Sequence, residues 1–151
     1  MSIPNLLVKH CKQDAVYWGN PVNDGYGGFT YDIPVEIKCR WEDKKEVFYL
    51  SNGEQAISKS VIYVMQEVDI DSKFFLGTLG VIVPSPDSDG QDSQQLISDT
   101  GVITEVELDV DGKLNPRSVD AALIAKRIDR LPILNSTNFL IKVFLSEYGG
   151  M

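Results

Sequence analysis

The chain has 151 residues, 43% of them hydrophobic and 24% charged, with a formal net charge of −8. That size fits one domain, residues 1–151, large enough to build a core without a disulfide or metal staple. The acidic balance argues against a bulk nucleic-acid binder or a basic membrane-surface protein, and two cysteines, Cys11 and Cys39, are too few for a disulfide framework or a four-ligand zinc site.

Residues 1–14 are mixed in character, with a weak apolar run at Leu6-Leu7-Val8. Met1 is followed by Ser-Ile-Pro-Asn, which lacks the basic and apolar regions of a secretory signal. The longest apolar runs along the chain are about five residues, far short of a membrane span. A cytosolic protein, or one assembled in the cytosol, is expected. The single histidine, His10, stands beside Cys11, and neighbouring side chains on an extended segment point apart. A Cys–His nucleophile pair and a two-histidine zinc site are therefore not expected.

Residues 18–32, WGNPVNDGYGGFTYD, hold four glycines, a proline and the turn formers Asn20, Asn23 and Asp24. This is loop chemistry. Tyr26, Phe29 and Tyr31 are interleaved with the glycines, so the loop is too apolar for a solvated linker and should pack on the domain or on a partner. Residues 33–41 alternate, with Val35, Ile37, Cys39 and Trp41 on one face and Glu36, Lys38 and Arg40 on the other. They predict a strand with one buried face, in which Cys39 is a small core hydrophobe. Glu46–Leu50 reads as a second strand, Ser51-Asn52-Gly53 as a turn, and residues 55–66 as β again. Asp69–Ser72 is a turn before the short apolar piece Phe74–Gly77.

Residues 84–101, PSPDSDGQDSQQLISDTG, are nearly free of apolar side chains and predict a long acidic loop. Residues 102–110 alternate, with Val102, Thr104, Val106, Leu108 and Val110 against Glu105, Glu107 and Asp109, and predict a strand closed by Asp111-Gly112. Asn115-Pro116-Arg117-Ser118 has helix-start chemistry. Ala122, Leu123, Ile124, Ile128 and Leu131 recur at helical spacing, which predicts a helix over 118–131 stopped by Pro132. Residues 139–145, FLIKVFL, predict a final strand. The expected fold is mainly β, a small antiparallel barrel or sandwich with one helix in the C-terminal half and long loops.

No motif supports catalysis. The pairs Asp69/Asp71 and Asp109/Asp111 invite a metal reading, but an EF-hand loop starting at Asp109 would need a glutamate where Asp120 stands. Both pairs read as turn acids. Ser58 and Ser60 have no acid–base partner in sequence, and Gly25-Tyr26-Gly27-Gly28 lies outside a strand-to-helix turn, so it is not a nucleotide fingerprint. No catalytic residue, cofactor or metal is expected. Trp18, Tyr26, Phe29, Tyr31 and Trp41 suit base stacking, but no lysine or arginine accompanies them between residues 15 and 35.

Charge is unevenly placed. Residues 81–112 carry Asp87, Asp89, Asp92, Asp99, Glu105, Glu107, Asp109 and Asp111 and no cation, while residues 113–151 carry six cations against three acids. An acidic wall repels a polyanion and keeps it mobile.

The stretch WGNPVNDGYGGFTYDIPVEIKCRWEDKKEVF, followed by SKSVIYVMQEVDIDSKFFLGTL, resembles the head-closure (stopper) proteins of long-tailed phages, which are small head-to-tail connectors. The shared pattern is a glycine- and aromatic-rich segment, the alternating strand Val35–Trp41, a charged turn, the strand region Gly53–Val64, and the acidic turn Val68–Gly77. It covers about sixty of the 151 residues. The resemblance implies a β-barrel subunit of a homo-oligomeric ring, a hexamer or dodecamer, in the neck of the virion, assembled in the host cytoplasm. Such a ring closes the portal channel, retains packaged DNA without binding it specifically, and meets portal or adaptor proteins on one side and tail-completion proteins on the other, with no membrane. On that reading Tyr26, Phe29 and Tyr31 anchor a neighbour, Asp87, Asp89 and Asp92 face the DNA channel, and Lys126, Arg127 and Arg130 meet an acidic neighbour. A tail terminator or head-completion adaptor of the same virion is the adjacent reading. A non-viral protein-binding module is the reading from another class.

Overall fold

A computed structural model describes residues 11–132 and 139–147. Leu6–Val8 and His10 lie outside the described residues. The chain forms β1 (Gln13–Trp18), β2 (Val22–Asn23), β3 (Phe29–Thr30), β4 (Val35–Glu42), β5 (Val47–Tyr49), β6 (Gln55–Ile57), β7 (Ser60–Val64), β8 (Lys73–Val83), β9 (Ser93–Ser98), β10 (Ile103–Glu107), β11 (Leu123–Pro132) and β12 (Phe139–Ser146). A 3₁₀ turn at Pro116–Ser118 is the one helical element among the described residues.

Six of these strands close into a ring of antiparallel neighbours. The order is β1-β4-β7-β12-β11-β8, and β8 pairs back onto β1. Closure gives every strand in the ring a neighbour on each side, though β11 meets β8 only through Leu123 and Ile124. The interior is filled from all six strands by Ala15, Tyr17, Ile37, Cys39, Trp41, Ile62, Val64, Phe74, Leu123, Ala125, Ile141, Val143 and Leu145. On β4 the expected alternation holds for Ile37, Cys39 and Trp41, whereas Val35 at the strand's start is exposed.

Three excursions leave the barrel. The β2–β3 hairpin spans the glycine-rich segment. The β5–β6 hairpin covers the outer faces of β7 and β12 through Phe48, Val61 and Phe144, whose Phe48 and Phe144 rings stack at 5.0 Å. The third is a meander in which the distal half of β8 pairs with β9, and β9 with β10. It encloses a second core on the barrel's outer face, made by Val16, Trp18, Phe75, Leu96, Val106, Leu108, Leu114, Val119 and Ala122. Strands β1 and β7 are therefore apolar on both faces.

The helix expected over 118–131 is not formed. Asn115 caps as its chemistry predicts, accepting the Arg117 N–H at 3.0 Å, but the turn ends at Ser118 and Leu123–Pro132 is a strand. The cause is a β-bulge. Ala125 pairs with Leu145 and Arg127 with Phe144, leaving Lys126 without an opposite residue. Leu123 and Ala125 point into the barrel, Ile124 points out, and with Lys126 taken up by the bulge Ile128 packs on the interior again. Burial on two faces plus one inserted residue imitates a four-residue period.

The loop expected over 84–101 is likewise divided, because residues 93–98 are β9, leaving 84–92 as the β8–β9 turn and 99–101 as the β9–β10 turn. Leu96 is the buried anchor of that polar strand. Val106 on β10 and Leu108 just past its end are buried as expected, but Thr104 on the strand is exposed, as are Val102 and Val110 beyond its two ends.

Candidate interaction surfaces

The β2–β3 hairpin is built around one carboxylate. Asp24 Oδ1 accepts the Tyr26 N–H at 2.7 Å and the Gly28 N–H at 3.1 Å, and Asp24 N–H donates to Gly28 O at 3.0 Å. Gly25 and Gly27 take positive φ, at 81° and 85°, which closes the turn. Those backbone N–H donors, with Arg117 nearby, hold the Asp24 carboxyl below its ordinary pKa. Arg117 reaches Asp24 Oδ2 at 3.4 Å and so ties the hairpin to the 3₁₀ turn.

The hairpin's base is fixed as firmly. Tyr17 Oη donates to Asp69 Oδ2 at 3.3 Å, and the same oxygen accepts the Asn20 N–H at 3.0 Å. Tyr31 Oη donates to Asp71 O at 3.1 Å. Burial, with the Asp71 charge, pushes the Tyr31 phenol up to about 12. The three aromatics therefore separate in role. Tyr31 packs on the second core, Phe29 lies 6.4 Å from it ring to ring, and Tyr26 is 95% exposed at the tip.

A second apolar surface lies on the β5–β6 hairpin, where Val47 pairs with Ile57 and both, with Tyr49, face away from the barrel and are exposed. Sequence reasoning missed it. A three-residue strand with apolar side chains on both faces gives no alternation to read.

Asp87, Asp89 and Asp92 are all exposed on the β8–β9 turn. Asp92 is partly committed to the turn itself, since its Oδ1 accepts the Ser85 N–H at 3.0 Å. Glu105 and Glu107 are exposed on β10, so this end of the molecule is uniformly acidic. The basic residues expected to act together are dispersed. Arg127 bonds Asp129 at 2.9 Å and Tyr49 O at 3.1 Å, Arg130 pairs with Glu67 at 2.7 Å, and Lys126 sits at the bulge with no ion pair among the described residues.

The residues weighed for chemistry have structural employment. Ser58 Oγ bonds Lys44 O and the Glu46 N–H, and Ser60 Oγ donates to Asp43, which also accepts the Trp41 indole. Asp109 Oδ1 accepts the N–H groups of Asp111 and Lys113 at 2.9 Å each, closing its turn. Trp18 and Trp41 are buried, so neither can stack on a base. Among the described residues no three His, Cys, Asp or Glu side chains converge as a metal site. The chain matches no family model, and no curated protein matches it.

Proposed function

We propose that the chain is a ring-forming structural subunit of a phage neck, a head-closure protein that works by shape and association and not by catalysis. The observation that carries this reading is Tyr26, a large aromatic held 95% exposed on a hairpin whose backbone is braced by Asp24 and Arg117. An ordered aromatic knob on a rigid support is an anchor for a neighbouring surface. The exposed face Val47/Tyr49/Ile57 offers a second contact on a different excursion, as a head-to-tail ring requires of each subunit. The closed barrel supplies a rigid body. The acidic end at Asp87, Asp89, Asp92, Glu105 and Glu107 suits a channel through which DNA slides without capture. On this reading the partners are further copies of the chain, the portal or adaptor above it and tail-completion proteins below it, within a virion assembled in the host cytoplasm.

The test is electron microscopy of the protein mixed with portal complexes of a long-tailed phage that encodes it. A closed ring of this chain on the portal axis is the expected result. A chain that stays monomeric and never joins such particles would overturn the reading.

A further inference from the structure

Lys73 occupies an unusual place for a lysine. On the outer face of the barrel its ladder neighbours are Trp18 on β1 and Ile124 on β11, both buried. The side chain is half-buried on this apolar floor, beneath the β2–β3 hairpin, in a cleft of about 170 Å³ lined by Gly27, Gly28, Phe29, Tyr31, Arg117 and Ile124. It has no hydrogen bond or ion pair among the described residues. The charged groups that act on it are Lys126 and Arg117, both cations, and together with burial they lower its pKa. Asp24 is already engaged by Arg117 and by two backbone N–H groups, and the Asp71 carboxylate acts on Tyr31 but not on Lys73.

The bulge adds to this. Removing the extra residue would leave β11 in the same in–out phase, so Lys126 is not needed to pack the barrel. Lys126 lies outside the cleft's lining, but its charge reaches Lys73. A protein with net charge −8 thus lines one small cleft with two cations, Lys73 and Arg117, the second already paired with Asp24, while the charge of Lys126 also reaches Lys73. Like charges brought together on an apolar floor destabilise the fold unless something neutralises them.

We propose that this cleft binds one oxyanion group, a phosphate or a carboxylate, held by Lys73 and Arg117, with Lys126 adding attraction from outside the lining. The cleft is smaller than the roughly 300–1,000 Å³ typical of sites for drug-sized ligands, which restricts the occupant to a small ion or to the end of a longer molecule. The Phe29 and Tyr31 rings and the Ile124 side chain shield it, which strengthens a lysine–oxyanion contact relative to water.

The experiment is an amide NMR titration of the whole chain at neutral pH and constant ionic strength, set with sodium chloride, using inorganic phosphate in one series and acetate in the other. Saturable shifts at Gly27, Gly28, Phe29 and Lys73 with either anion are expected, and are expected to vanish in Lys73→Met. Saturation by phosphate alone assigns a tetrahedral polyanion, and saturation by both assigns any small oxyanion, a carboxylate included. In chloride buffer free of phosphate and carboxylates Lys73→Met should melt above the parent chain, and the gap should close as the binding oxyanion is added. Lys126→Gln, at a site that does not pack the core, gives a second reading and should weaken binding several-fold. Linear, unsaturated shifts with both anions, or a Lys73→Met variant that keeps the saturable response, would overturn the proposal.

Discussion

The indole N–H of Trp18 donates to the carbonyl of Leu114 at 2.8 Å, joining residues 96 apart in sequence. Trp18 is fully buried between the barrel wall and the 110–122 segment, so this bond fastens the outer layer to the ring. Trp18→Phe removes the donor, strands a buried carbonyl and leaves a void. The expected cost is about 2–4 kcal/mol, read as a lower urea midpoint with an unchanged slope. A loss under roughly 0.5 kcal/mol, the scale of ordinary surface substitutions, would show that the outer layer does not depend on this bond.

Strand β8 belongs to two structures at once. Its first residues pair with β1 as far as Leu76, and from Gly77 onward it pairs with β9. Gly77 has φ 154°, and a Cβ there would lie 2.1 Å from Ile97 O. Gly77→Ala must push the two backbones apart where the strand changes partners. A destabilisation of about 2 kcal/mol or more is expected, with amide exchange quickened first in β9 and β10. Gly53→Ala, at φ 87° in an open turn with nothing nearby, should cost about 1 kcal/mol through backbone strain alone.

These two residues also mark how far the sequence could be read. Val35–Trp41 announced itself because one face is wet and the other is dry, and so did the final strand. β1 gave no signal, since Ala15, Val16, Tyr17 and Trp18 are all buried and no alternation survives. Gly77 read as the end of a short apolar piece because a glycine that lets a strand change partners is indistinguishable locally from one that ends it. Leu123–Pro132 was mistaken for a helix because a two-faced strand with a bulge at Lys126 mimics helical spacing. The knob at Tyr26 was legible as an aromatic in a glycine loop. The cationic cleft was not, because Lys73 and Arg117 are brought together only when the β2–β3 hairpin and the 3₁₀ turn pack over β8.

Alkaline pH should destabilise the protein through two buried groups. Burial raises the Tyr31 phenol to about 12 from an ordinary 10, and the Cys39 thiol to about 12 from 9. Each group is held neutral by the fold, so its contribution is complete below the unfolded pKa and is lost as pH rises through the folded one. Thermal unfolding between pH 8 and 12 should show a melting temperature that begins to fall near pH 9 and drops more steeply above 10. Tyr31→Phe should flatten the upper part of that fall. A curve of the same shape in Tyr31→Phe would mean that the phenol is not responsible.

Acid should loosen the β2–β3 hairpin locally. The Asp24 carboxyl is held below its ordinary 3.8, chiefly by the Tyr26 and Gly28 N–H groups that it accepts. That support is present above the unfolded pKa and is lost as pH falls through the lower, folded value. The amide resonances of Tyr26 and Gly28 should keep their hydrogen-bonded positions through pH 3.8 and lose them only at lower pH, and Asp24→Ala should display the loosened state at neutral pH. Resonances that hold their positions in Asp24→Ala would place the hairpin's order elsewhere, in its Asp69 and Asp71 contacts.

Tyr26 separates association from stability. Its ring is exposed and makes no packing contact with either core, so Tyr26→Ser should change unfolding free energy by no more than about 0.5 kcal/mol. An aromatic anchor at an interface contributes about 2 kcal/mol or more when truncated, which is roughly thirtyfold in each subunit contact. A closed ring multiplies that loss over all its contacts, so the variant should fold normally and fail to assemble on portal complexes at concentrations where the parent chain does. Tyr49→Ser on the β5–β6 face should show the same division between folding and assembly if that face is the complementary contact, but more weakly, because its hydroxyl also accepts a bond from Gln55 at 3.0 Å. A Tyr26→Ser chain that assembles as readily as the parent would remove the knob from the interface and leave the β5–β6 face as the surface to pursue.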